Sequence, residues 1–157
     1  MKNRLKHHNA VIAKLNEILE SELSGVVRYT HYSFMVFGYS RIPVVEWFRS
    51  AANETLTHAH EAGEIITYFG EHPSLGIGGL LETHKHDIRD ILMESMDFEI
   101  RGVKLYKELL DLVEGESIYV EEYARQKIAE ETEHIGEIDK MLRRPGDTEQ
   151  AVEPPTI

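Results

Sequence analysis

Four long stretches of this 157-residue chain carry apolar residues at helical spacing, while the alternating pattern of strands is nearly missing. The spacing predicts helices over residues 8–38, 44–70, 85–114 and 116–143. Each of these helices has an apolar stripe that must be covered by a neighbour. The pattern therefore predicts an all-α fold with one core.

The connections between the stretches predict how the helices are arranged. Gly38 and Pro43 separate the first two, and the short segment EGES at 114–117 separates the last two, so each pair is expected to form an antiparallel hairpin. The connection between the second and third helices is much longer, and Pro73 and three glycines interrupt any helix there. A connection of that length can cross the bundle from one end to the other. We expect a ferritin-like four-helix bundle with one long crossover.

Composition limits the domain structure and the partners. Residues 144–157 contain three prolines and are expected to form a disordered tail, which leaves 1–143 as the bundle domain. A net charge of −11 disfavours nucleic acid as a partner, and no apolar run is long enough to predict a membrane span. Cysteine is absent, which excludes thiolate metal sites and disulfides. With no secretory signal apparent, we expect a cytoplasmic protein.

Carboxylates interrupt the apolar stripes. Each predicted helix has a glutamate near its middle on the face that should be buried, and the second and fourth helices add a histidine one turn later. The six candidate metal-binding and catalytic residues are Glu22, Glu54, His58, Glu99, Glu131 and His134.

Burying four carboxylates together is very unfavourable without compensating positive charge. Two divalent cations would neutralise them, and oxygen and imidazole ligands without thiolate suit iron or manganese. The alternative is that each glutamate lies at the edge of its stripe, where it reaches solvent or pairs with lysine or arginine. The sequence leaves both interpretations open and favours a dinuclear metal site of the carboxylate type.

Four segments resemble the bacterioferritin family. They are SELSGVVRY at 21–29, HAHEAGEIITYFGEHPSL at 58–75, MDFEIRGVKLYKELL at 96–110 and EETEHIGEID at 130–139. The resemblance covers roughly residues 10–142. It implies that five of the candidates are iron ligands: Glu22, His58, Glu99, Glu131 and His134. It also implies iron(II) oxidation at a di-iron centre and storage of ferric mineral inside a shell.

The chain departs from the family pattern at three places. Thr55 stands where the family has a glutamate three residues before the second-helix histidine, so we expect Glu54 to serve instead, with Glu61 as a weaker candidate. Leu56 replaces the methionine that holds haem, so haem is not predicted. The proline-rich tail is unsuited to the short fifth helix that lines pores of the family's 24-subunit cage.

Three functions remain open. The first is an iron(II) oxidase with iron storage or detoxification, binding two iron ions per chain and using oxygen or hydrogen peroxide; manganese or zinc are possible substitutes for the iron. The second is a di-iron oxidoreductase without storage. The third is a metal-free bundle acting as an interaction module.

Two further features concern the surroundings of the site and the outside of the bundle. Tyr29 and Tyr106 each follow a candidate glutamate by seven residues, and we expect them to pack in the core, to hydrogen-bond a ligand carboxylate or to donate an electron. The segment YSFMVF at 32–37 spreads apolar side chains around its helix. It predicts a homodimer, with a larger shell possible.

Overall fold

The computed structural model describes residues 5–156. Four helices account for most of this range, and no strand occurs within it. They are α1 (His8–Met35), α2 (Arg41–Tyr68), α3 (Ile88–Val113) and α4 (Ile118–Leu142). The predicted all-α class and the number of helices are confirmed.

The helix ends differ from the predicted ones for local reasons. α1 ends at Met35 because the backbone of Val36 is already extended, and Arg41 donates to the carbonyl of Val36 at 2.6 Å. Pro43 was expected to lie between the helices, but it lies in the first turn of α2, where a missing backbone N–H costs nothing. α3 begins at Ile88 because the Asp87 carboxylate accepts the N–H of Arg89 at 2.8 Å.

The topology is two hairpins joined by a crossover along α1. α1 packs against α2 and α3, and α3 packs against α4. The crossover occupies residues 69–87 and is fastened to α1: the Gly78 N–H donates to the Glu20 carbonyl at 2.9 Å, and the Ser74 N–H donates to Asn16 at 2.7 Å. This confirms the ferritin-like arrangement with one long crossover.

The core consists of two apolar clusters at opposite ends of the bundle. One includes Leu15, Ala62 and Val120, and the other includes Phe48 and Ile138. Between them lies a layer at the middle of all four helices that holds buried polar side chains. The predicted site residues lie in this layer.

The tail returns to the bundle. The Asp139 carboxylate, near the end of α4, accepts the N–H groups of Ala151 and Val152 at 2.8 and 2.9 Å. Val152 packs against the apolar cluster that contains Phe48, and residues 144–156 contain no helix. The division of the chain at residue 143 and the disorder of the tail stay predictions. None of the helices within residues 5–156 has an apolar stretch long enough to cross a bilayer.

Candidate metal centre

Five of the six predicted residues meet in the polar layer. They come from all four helices, and they are Glu22, His58, Glu99, Glu131 and His134. The first four are buried, with relative exposures of 5, 2, 2 and 4%. The side chain of His134 is 19% exposed and lies at the edge of the layer. These five residues are called the inner centre below.

The inner centre consists of two clusters that share one carboxylate. In the first, Nδ1 of His58 lies 2.8 Å from Oε1 of Glu131 and 3.7 Å from Oε2 of Glu22. In the second, Nδ1 of His134 lies 3.5 Å from Oε2 of Glu131 and 3.8 Å from Oε2 of Glu99. Glu131 therefore directs one oxygen to each cluster, which is the arrangement of a carboxylate that bridges two cations.

Both clusters fit divalent cations. Ligand atoms around an ion of coordination number four to six, with bonds of about 2.1 Å, lie about 3.0–3.4 Å apart, close to the spacings in the inner centre. Two buried atoms at the clusters, Nδ1 of His58 and Oε2 of Glu99, have no hydrogen-bond partner of regular geometry among the described residues. Buried polar atoms rarely lack a well-aligned hydrogen bond, so the geometry at these two atoms favours an ion as an additional partner.

The electrostatics of the inner centre also call for positive charge. Burial raises the pKa of Glu22 and of Glu99, and for Glu99 the charge of Glu131 adds to the effect. Burial opposes charging of the histidines, but contacts with glutamates prevail and raise the pKa of His58 to about 10 and that of His134 to about 11. In the metal-free protein the two imidazolium groups supply the balancing charge that divalent cations would otherwise provide.

Two tyrosines fix the orientation of the outer carboxylates. The Tyr106 hydroxyl donates to Oε1 of Glu22 at 2.8 Å, and the Tyr29 hydroxyl donates to Oε1 of Glu99. Burial, followed by the charge of the neighbouring glutamate, raises the pKa of both tyrosines well above the ordinary value, so both remain protonated donors. The expected hydrogen bonds to carboxylates are confirmed, and electron donation by these tyrosines stays a prediction.

Glu54 lies on the other side of the histidine rings. Its Oε2 is 2.9 Å from Nε2 of His134, and its Oε1 is 4.0 Å from Nε2 of His58. Its side chain is 41% exposed, unlike the glutamates of the inner centre. The structure thus places Glu54 against the ring nitrogens that face away from the shared carboxylate, and its role as a direct ligand stays a prediction.

Thr55 occupies the α2 position that faces the core next to Glu54. It is buried, and its hydroxyl donates to the Ala51 carbonyl at 2.7 Å, within its own helix. Its methyl group lies close to Gly25 of α1.

Sequence reasoning missed a lysine and a carboxylate beside the inner centre. The Lys127 ammonium is buried and pairs with Glu61 at 2.5 Å and with Glu130 at 2.9 Å. Glu130 in turn approaches Nε2 of His58 at 3.0 Å. The weaker ligand candidate Glu61 is thus held by a lysine. The available signal was that Lys127 precedes Glu131 by four residues and therefore lies on the same helical face.

Comparison with protein families agrees with the fold. The model of the Ferritin-like domain family matches residues 12–145, so the chain belongs to this family. A comparison with curated proteins found no match.

Three solved structures are similar in fold to this chain. A ferritin-like di-iron carboxylate protein from Bacillus anthracis is 25% identical, with a TM-score of 0.81 over 86% of this chain and 96% of its own. The dodecameric, bacterioferritin-related thioferritin of Bacteroides fragilis is 21% identical, with a TM-score of 0.77 over 85% of this chain and 84% of its own. The bacterioferritin of Rhodobacter capsulatus, solved with a metal-free dinuclear site and heme iron, is 22% identical, with a TM-score of 0.78 over 87% and 85%.

Proposed function

We propose that this protein binds two iron(II) ions per chain in the inner centre and oxidises them there. The observation that carries the proposal is the shared carboxylate of Glu131, which has one oxygen in each of two clusters of histidine and glutamate. Oxygen and imidazole donors without thiolate suit iron or manganese, and manganese or zinc are expected to substitute in binding. Haem is not part of the proposal.

The reaction is an electron transfer from iron to an oxygen species. Two iron(II) ions, one O₂ and two protons give two iron(III) ions and one hydrogen peroxide; with hydrogen peroxide as oxidant, the two protons and the peroxide give two water molecules. In this reaction iron(II) is the substrate. The chain contributes the positions of Glu22 and Glu99, which Tyr106 and Tyr29 hold by hydrogen bonds, and an apolar environment on both sides that limits access of water.

The far nitrogens of the two histidines have carboxylate partners of their own. Glu54 faces Nε2 of His134 and Glu130 faces Nε2 of His58. A carboxylate at the second ring nitrogen fixes the tautomer and orientation of a metal-binding histidine. We assign this orienting role to Glu54 and Glu130, with direct ligation by Glu54 as the alternative.

Storage requires association of chains, and apolar side chains at the turn between α1 and α2 support it. Phe34, Phe37 and Ile42 are 57, 67 and 81% exposed in the single chain. A homodimer would cover such a surface. A larger cytoplasmic shell is the further step of the proposal, and the Bacteroides fragilis relative, which is dodecameric, supports it.

The second candidate is a di-iron oxidoreductase that does not store iron. Two observations favour it: Thr55 replaces the glutamate expected from the bacterioferritin resemblance, and residues 144–156 contain no fifth helix. An oxidoreductase of this kind would keep its two ions and act on peroxide or an organic substrate.

Iron retention tests these functions. Metal-free protein receives a large aerobic excess of iron(II), unbound iron is removed on a sizing column, and iron per chain and particle mass are measured. Retention far above two ions in a large particle is the expected result for storage, whereas retention of two ions in a small oligomer supports the second candidate.

Glu131→Ala is the decisive variant, with Glu133→Ala as its matched control. Glu133 is an exposed glutamate on the same helix and faces away from the inner centre. We expect loss of rapid iron(II) oxidation in the first variant and unchanged oxidation in the second. Equal metal content and oxidation in both variants would contradict the proposal, and the absence of bound iron in both variants and in wild type would leave a metal-free interaction module.

A further inference from the structure

A second group of potential metal ligands lies on the surface, where the end of the crossover meets α1. His31 belongs to α1, and Glu82 and His86 both belong to the end of the crossover, just before α3. Nε2 of His31 lies 2.9 Å from Oε2 of Glu82, and Nε2 of His86 lies 3.8 Å from Oε1 of the same carboxylate. One atom from each of the three residues lies within 4.8 Å of the others. The group shares no residue with the inner centre.

The backbone next to this group fixes the carboxylate. The His84 N–H donates to Oε1 of Glu82 at 2.7 Å, and His84 itself has a φ of 54°, a left-handed conformation that few side chains adopt. This turn directs Glu82 toward His31 on α1. The hydrogen bond from His84, together with the nearby histidines, lowers the pKa of Glu82, so the carboxylate is ionised at neutral pH.

We propose that His31, Glu82 and His86 bind one divalent transition-metal ion of the zinc class. Two imidazoles and one carboxylate are a common three-residue set for such an ion, and they leave positions open for water. The two nitrogen–oxygen distances, 2.9 and 3.8 Å, lie on either side of the ligand spacing of about 3.3 Å expected for tetrahedral zinc.

His31 is far in sequence from Glu82 and His86, so a bound ion would join two distant parts of the chain. The crossover near the group carries exposed apolar side chains, with Leu81 76% exposed, and so contributes little burial of its own. An ion held by His31 of α1 and by Glu82 and His86 of the crossover would fasten the end of the crossover to the bundle. The site is independent of iron oxidation in the inner centre.

Zinc stoichiometry tests the proposal. Wild-type protein, His31→Ala and His86→Ala are dialysed against micromolar zinc, and bound zinc per chain is counted. His84→Asn is the matched control, since it removes a neighbouring imidazole and asparagine tolerates the left-handed backbone. We expect each alanine variant to bind one zinc fewer per chain than wild type, and the control to bind the wild-type number. Equal zinc counts in wild type and in both alanine variants would overturn the proposal.

Proteolysis supplies a second readout. Lys85 is exposed and lies between two of the ligands. Zinc is expected to slow cleavage after Lys85 by trypsin in wild type and in Glu131→Ala, and to leave the cleavage rate of His31→Ala unchanged. The same zinc effect in His31→Ala as in wild type would contradict an ion held by this histidine. Circular dichroism of each variant verifies that the bundle is folded.

Discussion

At the scale of single residues, glutamates that look equivalent in the sequence have different positions relative to the two histidines. Glu22, Glu99 and Glu131 are buried and direct oxygens toward the Nδ1 atoms of the two histidines. Glu54 is half-exposed and approaches the opposite nitrogen of His134. The difference matters because a residue that orients a histidine and a residue that binds the ion have different mutational consequences.

Glu54→Ala distinguishes the two roles. If Glu54 orients His134, its removal is expected to keep the stoichiometry at two ions per chain and to lower metal affinity about 10–100-fold. Metal titration of the metal-free protein measures both quantities. Asn53→Ala, at the adjacent exposed position of α2, is the control and should behave like wild type. Loss of one whole ion in Glu54→Ala would instead identify Glu54 as a ligand.

Tyr106→Phe tests the hydrogen bond that holds Glu22. The change keeps the buried ring and removes only the hydroxyl that donates at 2.8 Å. We expect slower iron(II) oxidation, by about 10-fold or more, with the stoichiometry of two ions retained. Tyr119→Phe is the control, because Tyr119 is half-exposed and does not belong to the inner centre. Equal oxidation rates in both variants would show that the Tyr106 hydroxyl does not contribute to iron(II) oxidation.

At the scale of helices, close contact between α1, α2 and α3 sets the dimensions of the polar layer. Gly25 of α1 allows this contact: a Cβ atom there would lie 2.6 Å from Cζ of Phe98 and 2.8 Å from the methyl group of Thr55. Both distances are shorter than van der Waals contact. Gly25 is three residues after Glu22 and therefore lies on the same side of α1.

Gly25→Ala is therefore expected to destabilise the bundle. Overpacking of a tight core typically lowers the free energy of unfolding by about 1–3 kcal/mol. Gly63→Ala is the matched control: it is also a helical glycine, but nothing lies within 4 Å of its added Cβ, and alanine there should stabilise α2 by up to about 1 kcal/mol. Urea unfolding of the metal-free proteins measures both changes. A stabilising effect of Gly25→Ala would show that the three helices separate at little cost.

At the scale of the whole molecule, the tail closes the end of the bundle. Asp139 is buried, and its carboxylate joins the tail to α4 through two backbone N–H groups and through Arg143. Burial alone would raise the pKa of Asp139, but the hydrogen bonds from Val152, Arg143 and Ala151 outweigh it and lower the pKa. The ionised carboxylate thus links the end of α4 to a part of the tail that lies 12 to 13 residues further along the chain.

The pH dependence of stability follows from this lowered pKa. The ionised Asp139 carboxylate contributes fully to the stability of the fold above pH 3.8, the ordinary aspartate pKa. This contribution is lost as the pH falls through the lower pKa of the folded state. Asp139→Asn should reduce the free energy of unfolding at pH 7 by about 1–2 kcal/mol, and the difference from wild type should shrink below a pH of about 4. Urea unfolding between pH 7 and pH 3 measures it, with the exposed Asp97→Asn as control. A difference that is the same at every pH would refute the role of the ionised carboxylate.

The number of helices, their hairpin order and the crossover were all predictable from the sequence. So was the membership of Glu22, His58, Glu99, Glu131 and His134 in one buried layer. These features depend on helical periodicity and on the breaks between helices, which are properties of neighbouring residues along the chain. The helix ends shifted by a few residues because capping contacts, such as that of Asp87, determine them.

Only the tertiary structure decided which atoms meet. Periodicity assigns a residue to a face, but the rotamer and the distance across the bundle depend on how all four helices pack. For that reason the sequence did not predict that Glu131 is shared between two clusters, that Glu54 lies behind the histidine rings, or that Lys127 is buried between two glutamates. The group of His31, Glu82 and His86 likewise depends on the tertiary structure, since the packing of the crossover brings Glu82 and His86 next to His31 of α1.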